Sequence, residues 1–290
     1  MEEVKKVGII GVGLLGGSIG LALKARFQDI QVLGMGRTKA KLEKAVHYKA
    51  IDSYDLSYEK GVQDCDIVII ATPVATIVPV FQRIQSCLKR DAVVTDVGST
   101  KVSICKAIEE NVKYRHLFVG SHPMAGSENT GVESARADLY LDSTVVIIEN
   151  SYHGDQIKRV ESFWKALGAQ TIKMTPEQHD RLTAYTSHLP HVVATCLSYT
   201  LSQSLTDEDL KVRVFGNGLV DTTRIAEGDP EIWLDILITN RDHLLAGIKD
   251  FRSALLELEQ HLQDMDHPEV IRYLKEGKRF REKIMKYKEP

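Results

Sequence analysis

Val7-Gly8-Ile9-Ile10-Gly11-Val12-Gly13-Leu14-Leu15-Gly16-Gly17-Ser18 is a short apolar run that empties into GxGxxG and then into a helical stretch, Ile19 to Lys24. A buried strand, a glycine turn and a helix in that order let a pyrophosphate approach backbone N–H groups at a helix N-terminus. Gly11 permits the tight turn, Gly13 removes a Cβ that would block the phosphates, and Gly16 lets the helix lie close on its strand. The stretch reads as a dinucleotide cradle, with Leu14 and Leu15 opening the helix over it.

Working outward, the chain alternates β-rich runs with helical patterns as far as residue 174, the signature of a parallel sheet with crossover helices. The expected strands are Val7 to Ile10, Val32 to Met35, Ile67 to Ala71, Val93 to Val97, Leu117 to Gly120, Val145 to Ile148 and Gln170 to Met174. The pattern then changes. Thr175-Pro176-Glu177-Gln178 combines an N-cap threonine, proline at the first helical position and glutamine at N3, so a helix starts there and the remainder reads as helical. The expected fold is α/β: an N-terminal Rossmann-type domain at 1–174, then an all-α dimerisation domain at 175–290. Asp229-Pro230-Glu231 starts another helix, which the pattern carries unbroken to about Met265. Leu244, Ile248, Phe251, Leu255, Leu258, Leu262 and Met265 form an a/d seam along it. On a helix of about 35 residues, about 50 Å long, such a seam is buried only against other helices, so a homodimer is expected.

Composition narrows the function. The 290 residues and 43% apolar content suit two domains with cores of their own. A net charge of −3, from 37 basic and 40 acidic residues, does not point to nucleic acid. No apolar run approaches the roughly 18–20 residues of a spanning helix, and Met1 to Lys6 lacks the core of a signal peptide, so the cytoplasm is the expected compartment and no membrane partner is expected. Cys65, Cys87, Cys105 and Cys196 are widely spaced and read as reduced core filler.

The second anchor of a dinucleotide lies about 20 residues past the glycines. Here Gly36-Arg37 stands where an NAD enzyme typically places a carboxylate, and the Arg37 guanidinium suits a 2′-phosphate, so NADP is expected over NAD. Thr72 and Pro73 end a further strand on the same edge, where the nicotinamide half would lie.

Three polar segments stand at element ends: Thr95 to Lys101, Gly120 to Glu128, and Ser187-His188-Leu189-Pro190-His191. His188 and His191, three apart, share one face of a helix expected to bend at Pro190, but no third ligand supports a metal, and none is expected. With SHPMAG at Ser121 to Gly126, SHLPH at Ser187 to His191 and DTTRIA at Asp221 to Ala226, the chain resembles the prephenate and arogenate dehydrogenase family of tyrosine biosynthesis over nearly its whole length. The resemblance implies hydride transfer from ring C4 to NAD(P) with loss of the ring carboxylate as CO₂, driven by aromatisation of a dicarboxylate substrate. It implies that His122 accepts the proton of the ring 4-hydroxyl and that Ser99 hydrogen-bonds His122 and that hydroxyl. Arg224 grips a carboxylate, and the side-chain carboxylate is favoured, because a cation on the departing group would stabilise the reactant. His191 is read as a substrate contact and His188 as its structural partner. Glu128 matches an acid near the mouth of the site, and Asp221 orients Arg224 or caps locally. Val220 replaces a basic residue that some relatives carry before Asp221, which removes one half of a gating pair. About 25 residues follow His267-Pro268, room for one terminal helix, so tyrosine inhibition would act at the active site. The alternatives are another Rossmann plus helical-domain dehydrogenase or imine reductase, or a non-catalytic NAD(P) sensor.

Overall fold

A computed structural model describes residues 4–127, 129–149 and 154–288, arranged as two compact units, Met1–Arg241 and Asp242–Pro290. In the first unit the chain runs β1 (Lys6–Ile10), α1 (Leu14–Arg26), β2 (Gln31–Met35), α2 (Lys39–His47), β3 (Ser53–Asp55), α3 (Tyr58–Gly61), β4 (Ile67–Ile70), α4 (Val74–Ile84), β5 (Val93–Asp96), α5 (Val102–Glu109) and β6 (Phe118–Val119). These strands form one parallel sheet in the order β3-β2-β1-β4-β5-β6. Val7, Ile9, Val32, Ile69 and Val93 are fully buried, which is why these strands read as continuous apolar runs rather than alternations. Strand order reverses between β1 and β4, and ligands of open α/β sheets bind in the crevice beyond the strand ends at such a point.

A second, three-stranded sheet follows. β7 (Ser121–Pro123) pairs antiparallel with β8 (Thr144–Ile148), α6 (Gly154–Ala166) crosses over, and β9 (Gln170–Met174) pairs parallel with β8. Neither β3 nor β7 is among the expected strands. Each has three residues, too few for a period to show.

The helical part of this unit comprises α7 (Pro176–Thr183), α8 (Leu189–Ser204), α9 (Asp207–Lys211), α10 (Asn217–Thr223) and α11 (Pro230–Thr239). α7 starts with the expected capping box: Gln178 N–H donates to Thr175 Oγ1 and Thr175 N–H to Gln178 Oε1. Between α7 and α8 the helix widens into a π-helical turn, Ala184–His188. A proline inside a continuous helix collides with the carbonyl four residues back, and widening immediately before Pro190 relieves that collision. The bend expected at Pro190 is therefore a π-turn that ends at His188.

Asp229 caps α11 as expected, accepting from Glu231 and Ile232 N–H. The helix does not run unbroken to 265. It stops at Asn240 (φ −114°, ψ 28°), and α12 (Arg241–Gln263) starts afresh. Asn240 is buried, and its side-chain amide is held by hydrogen bonds to residues 180 and 188, which local periodicity does not register.

In the second unit, α12 beyond its first residue is joined to α13 (His267–Lys288) through Met265 at φ +57°. Tyr273 Oη donates to the Ala254 carbonyl at 3.1 Å, and Arg272 pairs with Glu257. The seam is open to solvent over most of its length: Phe251, Leu255, Leu262 and Met265 are exposed. Of the four cysteines, Cys65 and Cys105 fill core, whereas Cys87 is half-buried and Cys196 exposed on α8, so the core-filler reading holds for two. Burial pushes the Cys65 thiol up to about 11. No helix among the described residues is long and apolar enough to cross a membrane.

Candidate active site

The glycine loop leaves the sheet as the sequence implies. Gly11 takes φ +94°, and a Cβ there would sit 2.5 Å from the Ala71 carbonyl oxygen. A Cβ on Gly16 would meet the Gly11 carbonyl oxygen at 2.1 Å, so α1 rests directly on the turn. Gly13, the N-cap of α1, has nothing within 4 Å of such a Cβ. Nothing in the protein itself requires glycine at 13, and the open space beside the first amides of α1 fits a pyrophosphate.

That space belongs to a cleft of about 310 Å³, lined by Gly13, Leu14 and Leu15 on one side and by Thr72 and Pro73 beyond β4. Ser99, half-buried beyond β5, lines it as well. Asp229, Ile232, Trp233 and Ile236 of α11 form another wall. α11 is held there by Thr239 Oγ1, 2.9 Å from Thr100 Oγ1, and by Asp235, which accepts from Ala75 N–H at 3.3 Å. Five of the expected cofactor residues and Ser99 thus share one cavity. Arg37 is exposed just past the end of β2.

His122 is not in a loop after a strand. It is the middle residue of β7, paired with Val146, and is 8% exposed. Asp96 fixes this short strand: its Oδ1 accepts from Ser121 N–H at 3.0 Å and its carbonyl from Ser121 Oγ at 2.6 Å. Trp164 Nε1 donates to the same Ser121 hydroxyl at 3.0 Å. No hydrogen bond joins Ser99 to His122 among the described residues. Instead His122 Nδ1 lies 2.8 Å from His179 Nε2, and His179 Nδ1 lies 2.7 Å from Asp180 Oδ1. Asp180 also accepts from Lys101 N–H (2.7 Å) and Val102 N–H (2.9 Å) at the start of α5. The Lys101 side chain, wholly buried, pairs with buried Asp96. Burial, reinforced by His179, Lys101 and His188, holds His122 well below the usual imidazole range, so the ring is neutral near pH 7.

His188 is buried at the end of the π-turn. Asn240 Nδ2 donates to its Nδ1 at 3.1 Å, leaving the proton on Nε2, which has no partner among the described residues. Burial lowers His188 to about 4. His191, also buried and lowered by burial, stacks on Trp233 with centroids 3.5 Å apart and planes 7° from parallel. Gly228 permits this: a Cβ there would lie 2.3 Å from Trp233 Nε1. His191 Nδ1 has no hydrogen-bond partner among the described residues. Trp233 lines the cleft, so His191 adjoins it through the indole, whereas His122, His188 and His191 are not themselves among its lining residues.

Asp221 and Arg224 lie elsewhere on the surface of this unit. Asp221 is exposed on α10, and Arg224 is exposed at its C-terminal end. Neither lines the cleft. Glu128 lies outside the described residues. Sequence reasoning passed over His179, Asp180, Asn240 and Trp233, and quoted Asp96 and Lys101 without a role. Of these only the last two carried a signal, as ionisable residues in a buried strand and its turn. Among the described residues no group of three or more His, Cys, Asp or Glu is placed to hold a metal ion.

A parallel sheet in this order, a glycine cradle at its switch point, and a cleft that Ser99 shares with the cradle define a nicotinamide dehydrogenase of the Rossmann class joined to helices. The family described as prephenate dehydrogenase, nucleotide-binding domain, matches residues 19–173, and its dimerization domain matches residues 175–276. The chain is 32% identical to a prephenate dehydrogenase of Bacillus subtilis over 97% of its own length and 77% of that protein. It is 30% identical to a cyclohexadienyl dehydrogenase of Zymomonas mobilis over 97% and 96%. It superposes on the prephenate dehydrogenase of Aquifex aeolicus, solved in complex with hydroxyphenyl propionate and NAD+, with a TM-score of 0.90 at 33% identity, covering 97% and 99% of the two chains. The chain belongs to the prephenate dehydrogenase family.

Proposed function

We propose that the protein oxidatively decarboxylates prephenate or arogenate, with hydride passing to NAD(P), and that residues 1–174 carry the cofactor while 175–290 complete the substrate site and pair two subunits. The observation that carries this reading is the glycine cradle whose cleft also takes in Ser99, Thr72 and Pro73; the buried neutral imidazole of His122 on β7 is assigned as base on the family's pattern. The nicotinamide, when bound, supplies the hydride acceptor. Gly11, Gly13 and Gly16 with Leu14 and Leu15 hold its pyrophosphate, and Thr72 and Pro73 border its nicotinamide end.

His122 takes the proton of the ring 4-hydroxyl as positive charge builds on C4, the task of a neutral base. Ser99 lines the cleft and orients that hydroxyl. His191 offers an unpartnered Nδ1 to the substrate, and His188, held by the Asn240 amide, takes the supporting role. Arg224 grips the side-chain carboxylate, with Asp221 orienting it and Glu128 near the mouth. In these assignments the family's pattern supplies the roles. Arg37, with no carboxylate at the end of β2, favours NADP through a 2′-phosphate. The exposed a/d seam of α12 supports a homodimer.

The test is a spectrophotometric grid of prephenate and arogenate against NAD and NADP, run on the wild type, His122→Asn and Arg37→Ala. His122→Asn is expected to lose turnover by about 10²–10⁴-fold while still binding cofactor. Arg37→Ala is expected to weaken NADP but not NAD. Unchanged turnover in His122→Asn removes the base assignment, and equal loss of both cofactors in Arg37→Ala removes the NADP preference.

A further inference from the structure

We infer that His179 and Asp180 form a relay behind His122 that fixes its tautomer, with Nδ1 protonated and Nε2 left as the basic nitrogen. The inference rests on the reading of His122 as the base and extends it to two residues that do not touch substrate.

The argument starts from Asp180, which is 1% exposed. Its Oδ1 accepts from Lys101 N–H and its Oδ2 from Val102 N–H. Backbone amides only donate, so both oxygens of Asp180 are acceptors, the pattern that hydrogen bonds to a carboxylate make. With Oδ1 accepting, His179 Nδ1, 2.7 Å away, is assigned as the donor. His179 is itself fully buried, which disfavours a second proton on its ring, so its Nε2 is a bare acceptor. The contact of 2.8 Å from His179 Nε2 to His122 Nδ1 then has one polarity, with His122 Nδ1–H donating. What remains on His122 is the Nε2 lone pair, which no hydrogen bond engages among the described residues.

The surroundings leave little freedom to reverse this order. The rings of His122 and His179 meet edge to face, with centroids 5.0 Å apart. The groups facing His122 are His179 from α7, the Lys101 ammonium from the turn before α5, with Asp96 of β5 paired to it, and His188 from the π-turn. None of these other groups offers Nδ1 of His122 a carboxylate. Asp180 is also pinned from behind: its own carbonyl accepts from Asn240 Nδ2 at 2.7 Å, and the same amide holds His188. His179 and Asp180 are positioning residues. When Nε2 receives a proton, the imidazolium is held through His179 to a fixed carboxylate, as a third group orients the base in triads.

The test compares His179→Leu with His179→Gln in the full chain. Leucine removes the acceptor. Glutamine can accept from His122 Nδ1–H through its carbonyl and donate to Asp180 through its amide. In His179→Leu, kcat is expected to fall about 10- to 100-fold with KM and cofactor affinity within about 3-fold of wild type. His179→Gln is expected to recover at least a third of wild-type kcat. Two-bond ¹H–¹⁵N correlation spectra of histidine-labelled protein read the tautomer directly, with His122→Asn locating the signal. Wild type is expected to show a protonated Nδ1 and a bare Nε2 on His122, and His179→Leu a mixture of tautomers. A protonated Nε2 in the wild type, or full kcat in His179→Leu with the tautomer unchanged, overturns the relay whatever His122→Asn does. Loss of turnover in His122→Asn alongside either result leaves the base assignment standing and the relay refuted.

Discussion

Two substitutions in one loop separate a glycine that the fold needs from a glycine that only a ligand needs. In Gly16→Ala the new Cβ would lie 2.1 Å from the Gly11 carbonyl oxygen and 2.9 Å from Ile9 Cγ2. The first is backbone, so α1 must lift by about 1 Å, an overpacking cost of about 1–3 kcal/mol that the better helix propensity of alanine offsets by at most about 1. The net loss of about 1–2 kcal/mol corresponds to a fall of about 2–8 °C in Tm. In Gly13→Ala nothing lies within 4 Å of the new carbon. As an N-cap change it costs at most about 1 kcal/mol. If a pyrophosphate rests on this turn, the methyl displaces it from at least one backbone donor, a charge-assisted bond of about 1.5–3 kcal/mol, which raises the Kd for the cofactor about 10- to 150-fold. The assay pairs thermal melts with cofactor titrations followed by tryptophan emission, since Trp233 lines the cleft whereas Trp164 is fully buried. Gly13→Ala should melt near the wild type and bind poorly. Wild-type affinity in a folded Gly13→Ala protein would refute the cradle.

Three further outcomes follow from the buried cluster. His188, lowered to about 4, binds fewer protons folded than unfolded, so its contribution is complete above about pH 6.5 and is lost as pH falls from there towards 4. The slope is about 1.4 kcal/mol per pH unit and the total about 3 kcal/mol, with His122, His179 and His191, all lowered, adding in the same direction; urea midpoints at pH 7.5, 6 and 5 that did not move would contradict this. Gly228→Ala drives a Cβ to 2.3 Å from Trp233 Nε1, which pushes the indole off His191 and destabilises by about 1–3 kcal/mol; Trp233→Phe in the same background should restore part of the loss in urea titrations. Lys101→Met strands the buried Asp96 carboxylate and costs about 3–5 kcal/mol, while Lys101→Met with Asp96→Asn recovers much of it; an additive double mutant would show that the pair is not coupled.

What was legible in the chain was what neighbours in sequence decide. The strand, glycine turn and helix from Val7 to Lys24, the capping box at Thr175, and the Asp229 cap each rest on contacts within a few residues, and each stands in the structure where expected. What escaped rests on distant partners. β7 is a strand because β8 and Asp96 hold it, not because Ser121-His122-Pro123 has any strand period. The helix stops at Asn240 because that amide is bonded to residues 52 and 60 positions away. His179-Asp180 reads locally as two polar residues on an ordinary helix, and their roles appear only when α7 lies beside β7 and the start of α5. The exposed seam of α12 was legible as a pattern, since periodicity shows that a face is apolar without showing what covers it.

The charges of this cluster explain how one histidine can be neutral at rest and still be a useful base. Burial alone would make His122 a poor proton acceptor, because an imidazolium loses hydration there. Lys101 makes matters worse, although its charge is paired with the buried Asp96. Asp180 is then left as one further negative charge, tempered only by the amides at the start of α5. With +1 from Lys101 and −1 each from Asp96 and Asp180, the cluster carries −1 while the histidines are neutral. A proton arriving on His122 brings that sum to zero. The same burial that keeps solvent protons off the ring therefore does not penalise the substrate's proton in full, because the compensating charge is already in place and already oriented. This arrangement also separates the two aspartates by function: Asp96 balances a permanent cation, whereas Asp180 waits for a transient one.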